Sequence, residues 1–74
     1  MTLDKTPRGS TVRIVSLESS DTVTLRLMEL GLVPGSAVRV VKSAPLGDPI
    51  QICVRNQHLA LRRNEARAIT VSID

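Results

Sequence analysis

The sequence predicts a mainly β fold: a small, strongly bent barrel of about five short strands with one short helix near its start. Three observations lead there. Apolar and polar residues alternate over several short runs, the period-two signature of half-buried strands. Those runs are separated by Gly, Pro and Asn where turns need them. Only Thr22 to Leu30 carries helical spacing, and a glycine follows it. A chain of 74 residues makes one domain, and no repeat, linker or low-complexity tract interrupts it.

Residues 1–9 read as a flexible lead-in punctuated by Pro7 and Gly9, so the folded domain is expected over residues 10–74. Val12-Arg13-Ile14-Val15 forms the first strand. Its alternation shifts phase between Ile14 and Val15, which implies a bulge or burial on both faces. Ser19-Ser20-Asp21 offers short polar side chains to cap a helix over Thr22 to Leu30, with Gly31 as its left-handed end and Pro34 beyond. Val33-Pro34-Gly35-Ser36 has the type II turn order. Ala37 to Lys42 follows as a strand with Val38 and Val40 inward, and Pro45 to Pro49 breaks the chain again. Ile50 to Arg55 alternates cleanly, with Ile50, Ile52 and Val54 toward the core. Asn56-Gln57 makes the hairpin turn, and Leu59 and Leu61 return inward. Asn64-Glu65-Ala66 is short enough for a single 3₁₀ turn. Ala68 to Ile73 closes the domain with Ile69, Val71 and Ile73 inward, and barrel closure hides the strand edges.

Composition narrows the function. The chain is 42% apolar and 23% charged, a globular balance. It contains no Phe, Tyr or Trp. That blank removes the usual base-stacking platform of single-strand binders, the aromatic groove of polyproline readers and the methyl-lysine cage. One cysteine, Cys53, allows no disulfide within a monomer and no four-cysteine or Cys₂His₂ zinc site. Met1 to Pro7 lacks the apolar region of a secretory signal, and no apolar run approaches the ~20 residues of a membrane helix. A cytoplasmic location is expected. The net charge of +3 is spread along the chain apart from Arg62-Arg63, as on a mildly basic solvated surface.

The catalytic inventory is thin. Cys53 and His58 face away from the core on neighbouring strands, a spacing compatible with a nucleophile pair but equally with two ordinary exposed positions. Cys53, His58, Asp48 and Glu65 are the available metal ligands, enough to seed a weak or intersubunit site. Asp48 also suits a turn beside Pro49. Gly31 and Gly35 do not form a phosphate loop. The helix is more informative. Val23, Leu27 and Leu30 share one face, Leu25 and Met28 fall on another with Leu32 close by, and Arg26 and Glu29 lie between. The second group either packs under a loop or lies open for a partner.

Leu27-Met28-Glu29-Leu30-Gly31-Leu32-Val33-Pro34-Gly35 resembles the signature of the FeoA family. Ala44-Pro45-Leu46-Gly47-Asp48-Pro49-Ile50 and Leu59-Ala60-Leu61-Arg62-Arg63 with Glu65-Ala66 are similar to other stretches of that signature, so with the final Ile69-x-Val71 the likeness runs from about Gly9 to Ile73. Leu25, where the family often carries a polar residue, and Asn56, where Gly is common, depart from it. The resemblance implies an SH3-like barrel with a helical insertion. It implies a non-enzymatic cytoplasmic accessory protein of ferrous iron uptake, acting on the FeoB membrane iron transporter and its cytoplasmic nucleotide-binding domain. On that basis Leu25, Arg26, Met28, Glu29 and Leu32 are the expected partner-binding residues, with no cofactor, no nucleic-acid partner and no membrane insertion. Self-association stays open. The alternative is a transition-metal-binding or metal-sensing SH3-like domain. A third reading is a nucleic-acid module using Arg55, Arg62, Arg63 and Arg67.

Overall fold

A computed structural model describes residues 1–18 and 22–73. Strands β1 (Thr11–Leu17), β2 (Ala37–Ser43), β3 (Ile50–Val54), β4 (Gln57–Leu61) and β5 (Ile69–Ser72) form one antiparallel sheet in the order β4-β3-β2-β1-β5. Helix α1 (Thr22–Glu29) joins β1 to β2, and α2 (Arg63–Arg67) joins β4 to β5. A 3₁₀ turn over Leu3–Lys5 precedes the sheet. The expected cap Ser19-Ser20-Asp21 lies outside the described residues.

The alternation patterns land as expected in the middle of the sheet. Ile50, Ile52 and Val54 are buried, as are Val38 and Val40. The β1–β5 register shifts between Ile14 and Ser16, and Val15 is exposed, so the phase change is a bulge and not two-sided burial. A second shift falls between Val40 and Lys42 in β2. Bulges in two adjacent central strands add twist and bend. They help curl a sheet of short strands around one core of Val, Ile and Leu side chains.

The flanks differ from expectation. No ladder joins β4 to β5 among the described residues, so hydrogen-bonded closure does not hide the edges. The chain passes between them through α2 instead. The free side of β5 is met by the N-terminus: the Val71 N–H donates to the Met1 carbonyl at 2.7 Å, and Thr2 pairs with Thr70. Leu3 is completely buried in the core, and the Gly9 N–H donates to the Val40 carbonyl at 2.7 Å. Residues 1–9 are therefore packed against the sheet and are not a loose lead-in. Their polar composition masked a single apolar anchor.

Three local corrections have simple causes. The hairpin turn is Arg55-Asn56, one residue earlier than expected, because Val54 pairs with Gln57. Both turn residues have positive φ, 53° and 64°, the two-residue geometry that matches strand twist. The segment expected as one 3₁₀ turn is the short helix α2. Glu65 Oε1 accepts the Arg62 N–H at 2.8 Å and Asp48 Oδ1 accepts the Arg63 N–H at 3.0 Å, so free donors at its start are satisfied. Ala66 anchors it in the core. Ile73, expected inward, lies past the end of β5 and is exposed.

Candidate functional site

Helix α1 ends in a way that decides which of its apolar residues are available. The Leu32 N–H donates to the Leu27 carbonyl and the Gly31 N–H to the Met28 carbonyl, both at 3.0 Å. These are the paired bonds of a Schellman ending, with Gly31 at φ +105° reversing the chain. After that reversal the helical wheel no longer applies. Leu32 turns back onto Leu27 and is 0% exposed. It is a core residue and is struck from the expected contact surface. Leu30, assigned to the inner face, is instead 38% exposed at the helix end.

Leu25 and Met28, one turn apart, lie open at 59% and 40% exposure. Thr24 and Leu27 hold the inner side; the side chain of Val23 lies outside the described residues. Leu25 and Met28 thus form the exposed apolar patch on the helix side, and Leu30 is a further exposed leucine at the helix end. Arg26 beside it is committed: its Nη2 donates to Glu65 Oε2 at 3.0 Å, tying α1 to α2. Glu65 uses its other oxygen on the Arg62 N–H, so it braces both helices. Exposed pairs of this kind contribute only about 0–1 kcal/mol, so the bridge orients more than it stabilises. Glu29 is exposed at the patch margin. Arg55, at the hairpin tip, lies over Gly31, where a Cβ would sit 3.2 Å from its Cδ. A cation there is favourable against the carbonyl end of α1.

The other expected ligands and nucleophiles are scattered. Cys53 and His58 are direct cross-strand partners. His58 Nδ1 meets the Gln51 amide Nε2 at 3.2 Å, not an orienting carboxylate. Asp48 and Glu65 are occupied at the start of α2. Among the described residues no three metal-ligating side chains converge. Three of the four arginines of the nucleic-acid reading make contacts within the chain. Arg55 covers Gly31, Arg63 donates to the carbonyls of Gly47 and Asp4, and Arg67 approaches Asp4 at 3.7 Å. Gly31 and Gly35 serve turns: the Ser36 N–H closes on the Val33 carbonyl at 3.0 Å with Gly35 at φ +93°. Sequence reasoning missed Leu30 and the Arg26–Glu65 bridge; no periodicity rule links residues 39 positions apart.

A family model described as the FeoA domain matches residues 1–73. The chain belongs to the FeoA family. It is 42% identical to the FeoA protein from Chlorobium tepidum, whose solution structure superposes with a TM-score of 0.93 and covers 99% of this chain and 70% of that one. The zinc complex of Stenotrophomonas maltophilia FeoA, described as a prokaryotic SH3 domain protein, is 34% identical with a TM-score of 0.87. That match covers 97% of this chain and 89% of the other. A fusion of Fe(2+) transport protein A with the Fe(2+) transporter FeoB from Porphyromonas gingivalis is 33% identical over 73 residues. Those residues are 99% of this chain but 9% of the fusion's length. The family's SH3-like fold is the architecture seen here, an incompletely closed small β barrel with α1 inserted between β1 and β2 and the short α2 between β4 and β5.

Proposed function

We propose that this chain is a non-enzymatic, cytoplasmic accessory module of ferrous iron uptake that docks on a FeoB-type membrane transporter and modulates it. The fusion of a similar domain to that transporter carries the reading. A shared polypeptide holds two domains at high effective concentration, an arrangement suited to a modest contact surface. Leu25 and Met28 offer such a surface, with Glu29 at its margin and Arg26 steadied by Glu65. Modulation requires that the chain bind two transporter conformations with different affinity. No helix among the described residues is long and apolar enough to cross a membrane.

Met28→Asp tests the surface. The side chain is 40% exposed, so the variant keeps its circular dichroism spectrum and melting curve. Capture of the transporter's cytoplasmic region is expected to be lost, because an interface centre does not tolerate an unpaired charge. Wild-type capture by a folded Met28→Asp protein removes the patch from the reading. Transporter nucleotide hydrolysis and iron uptake, each measured with and without the chain, test the modulation.

A second reading, metal binding, is favoured by one observation: Cys53 and His58 stand directly opposite each other. Two ligands from one chain leave a tetrahedral site half filled, so the reading needs a second copy or a weak site. Calorimetry with Zn²⁺ or Fe²⁺ on metal-free protein separates the readings. Docking without resident metal predicts no stoichiometric heat, and a stoichiometric heat lost in Cys53→Ser favours metal binding.

A further inference from the structure

We propose that the pocket between the N-terminal 3₁₀ turn, β2 and α2 is a binding site for one tetrahedral oxyanion, in the first instance a phosphate group. The pocket encloses about 60 Å³. A water needs roughly 10–15 Å³ on the same measure, so the space holds about five atoms' worth of small ligand. It falls far short of the ~300 Å³ at which pockets for larger organic ligands begin. Arg8, Lys42 and Arg63 line it, with Ser43 adding a hydroxyl and Asp4 the one carboxylate; Thr6 also lines it, but its hydroxyl donates to the Thr2 carbonyl at 3.4 Å.

The charges do not cancel locally. The half-buried Arg63 donates from Nε to the Gly47 carbonyl and from Nη1 to the Asp4 carbonyl, both at 2.8 Å. Those partners are neutral, and a guanidinium has five N–H donors, so positive charge and donors remain. Among the described residues neither Arg8, Lys42 nor Arg63 has a carboxylate within ion-pair distance. The Asp4 carboxylate is engaged by the Thr2 hydroxyl and approached by Arg67 at 3.7 Å. Three cations thus face one committed carboxylate. The two carbonyl bonds fix the guanidinium plane, so it is oriented before any ligand arrives. A planar fork matches two oxygens of a tetrahedral oxyanion, and a mobile Lys with a Ser hydroxyl can serve the remaining ones. The site is independent of the α1 patch and does not rest on the docking reading.

The test is a titration of the intact chain with inorganic phosphate at constant ionic strength, followed by amide and arginine Nε–Hε NMR shifts. Saturable shifts at Lys42, Ser43 and Arg63 Nε are expected, with none from matched chloride. Arg8 and Lys42 are exposed, so Arg8→Ala and Lys42→Ala keep the fold, and each is expected to weaken phosphate roughly three- to fivefold. Linear shifts, equal shifts with chloride, or an Arg8→Ala/Lys42→Ala protein that binds like wild type overturn the proposal. Two arms then distinguish the source of the phosphate. Displacement by a nucleoside monophosphate assigns the site to soluble esters, and displacement by phosphatidic-acid vesicles but not phosphatidylcholine vesicles assigns it to a lipid headgroup.

Discussion

Leu32→Ala is expected to lower the thermal midpoint by roughly 10 °C or more, while Leu25→Ala leaves it nearly unchanged. Leu32 is 0% exposed and sits in the core cluster with Leu27. Truncating a fully buried leucine costs about 2–5 kcal/mol through lost transfer energy and the cavity left behind. In a domain of this size one kcal/mol moves the midpoint by about 4–8 °C. Total stability is itself only about 5–15 kcal/mol, with small domains toward the low end, so the loss is a large fraction. Leu25 is mostly exposed and loses little. Far-UV melting curves of the two variants side by side check this. Similar midpoints for both would mean that Leu32 is not held inside by the helix ending.

Gly31→Ala is the second large effect, with a cost of about 1–3 kcal/mol. One part is backbone strain, since φ is +105° and side chains with a Cβ rarely adopt that region. Another is contact: the new methyl would meet Arg55 Cδ at 3.2 Å and Nε at 3.3 Å. Arg55 is flexible and exposed, so the contact part can relax by moving the side chain away. A cycle with Arg55→Ala separates the two. If strain dominates, the Gly31→Ala penalty persists almost unchanged in the Arg55→Ala background. If the penalty vanishes there, the glycine is needed for close approach and not for its dihedral angle. Denaturant melts of the four proteins give the coupling directly.

Much of the architecture was legible because strands announce themselves by alternation. Ile50, Ile52 and Val54 need only the period-two rule, and the phase slip at Val15 marks the bulge. Pro34-Gly35 specifies its turn by chemistry alone. The failures share a cause: they depend on what lies beside a segment in space. Leu32 was placed by helical spacing across a glycine that ends the spacing. Leu3 sits in a polar stretch and is recognised as core only when the sheet it covers is present. The start of α2 donates a hydrogen bond to Asp48, an acceptor supplied by a distant loop. For the contact surface, Leu25 and Met28 were legible as a second apolar stripe, whereas the exposure of Leu30 at the helix end and the Arg26–Glu65 tie were not.

The position of Met1 and Leu3 carries a practical consequence for anyone who trims or tags this chain. A version starting at Ser10 looks harmless on paper, yet it evicts a leucine from the interior and strips the backbone partners from one margin of β5. A bare margin of that kind recruits strands from other molecules. An affinity handle placed upstream of Met1 is therefore grafted onto a structural seam, not hung from a dangling tail.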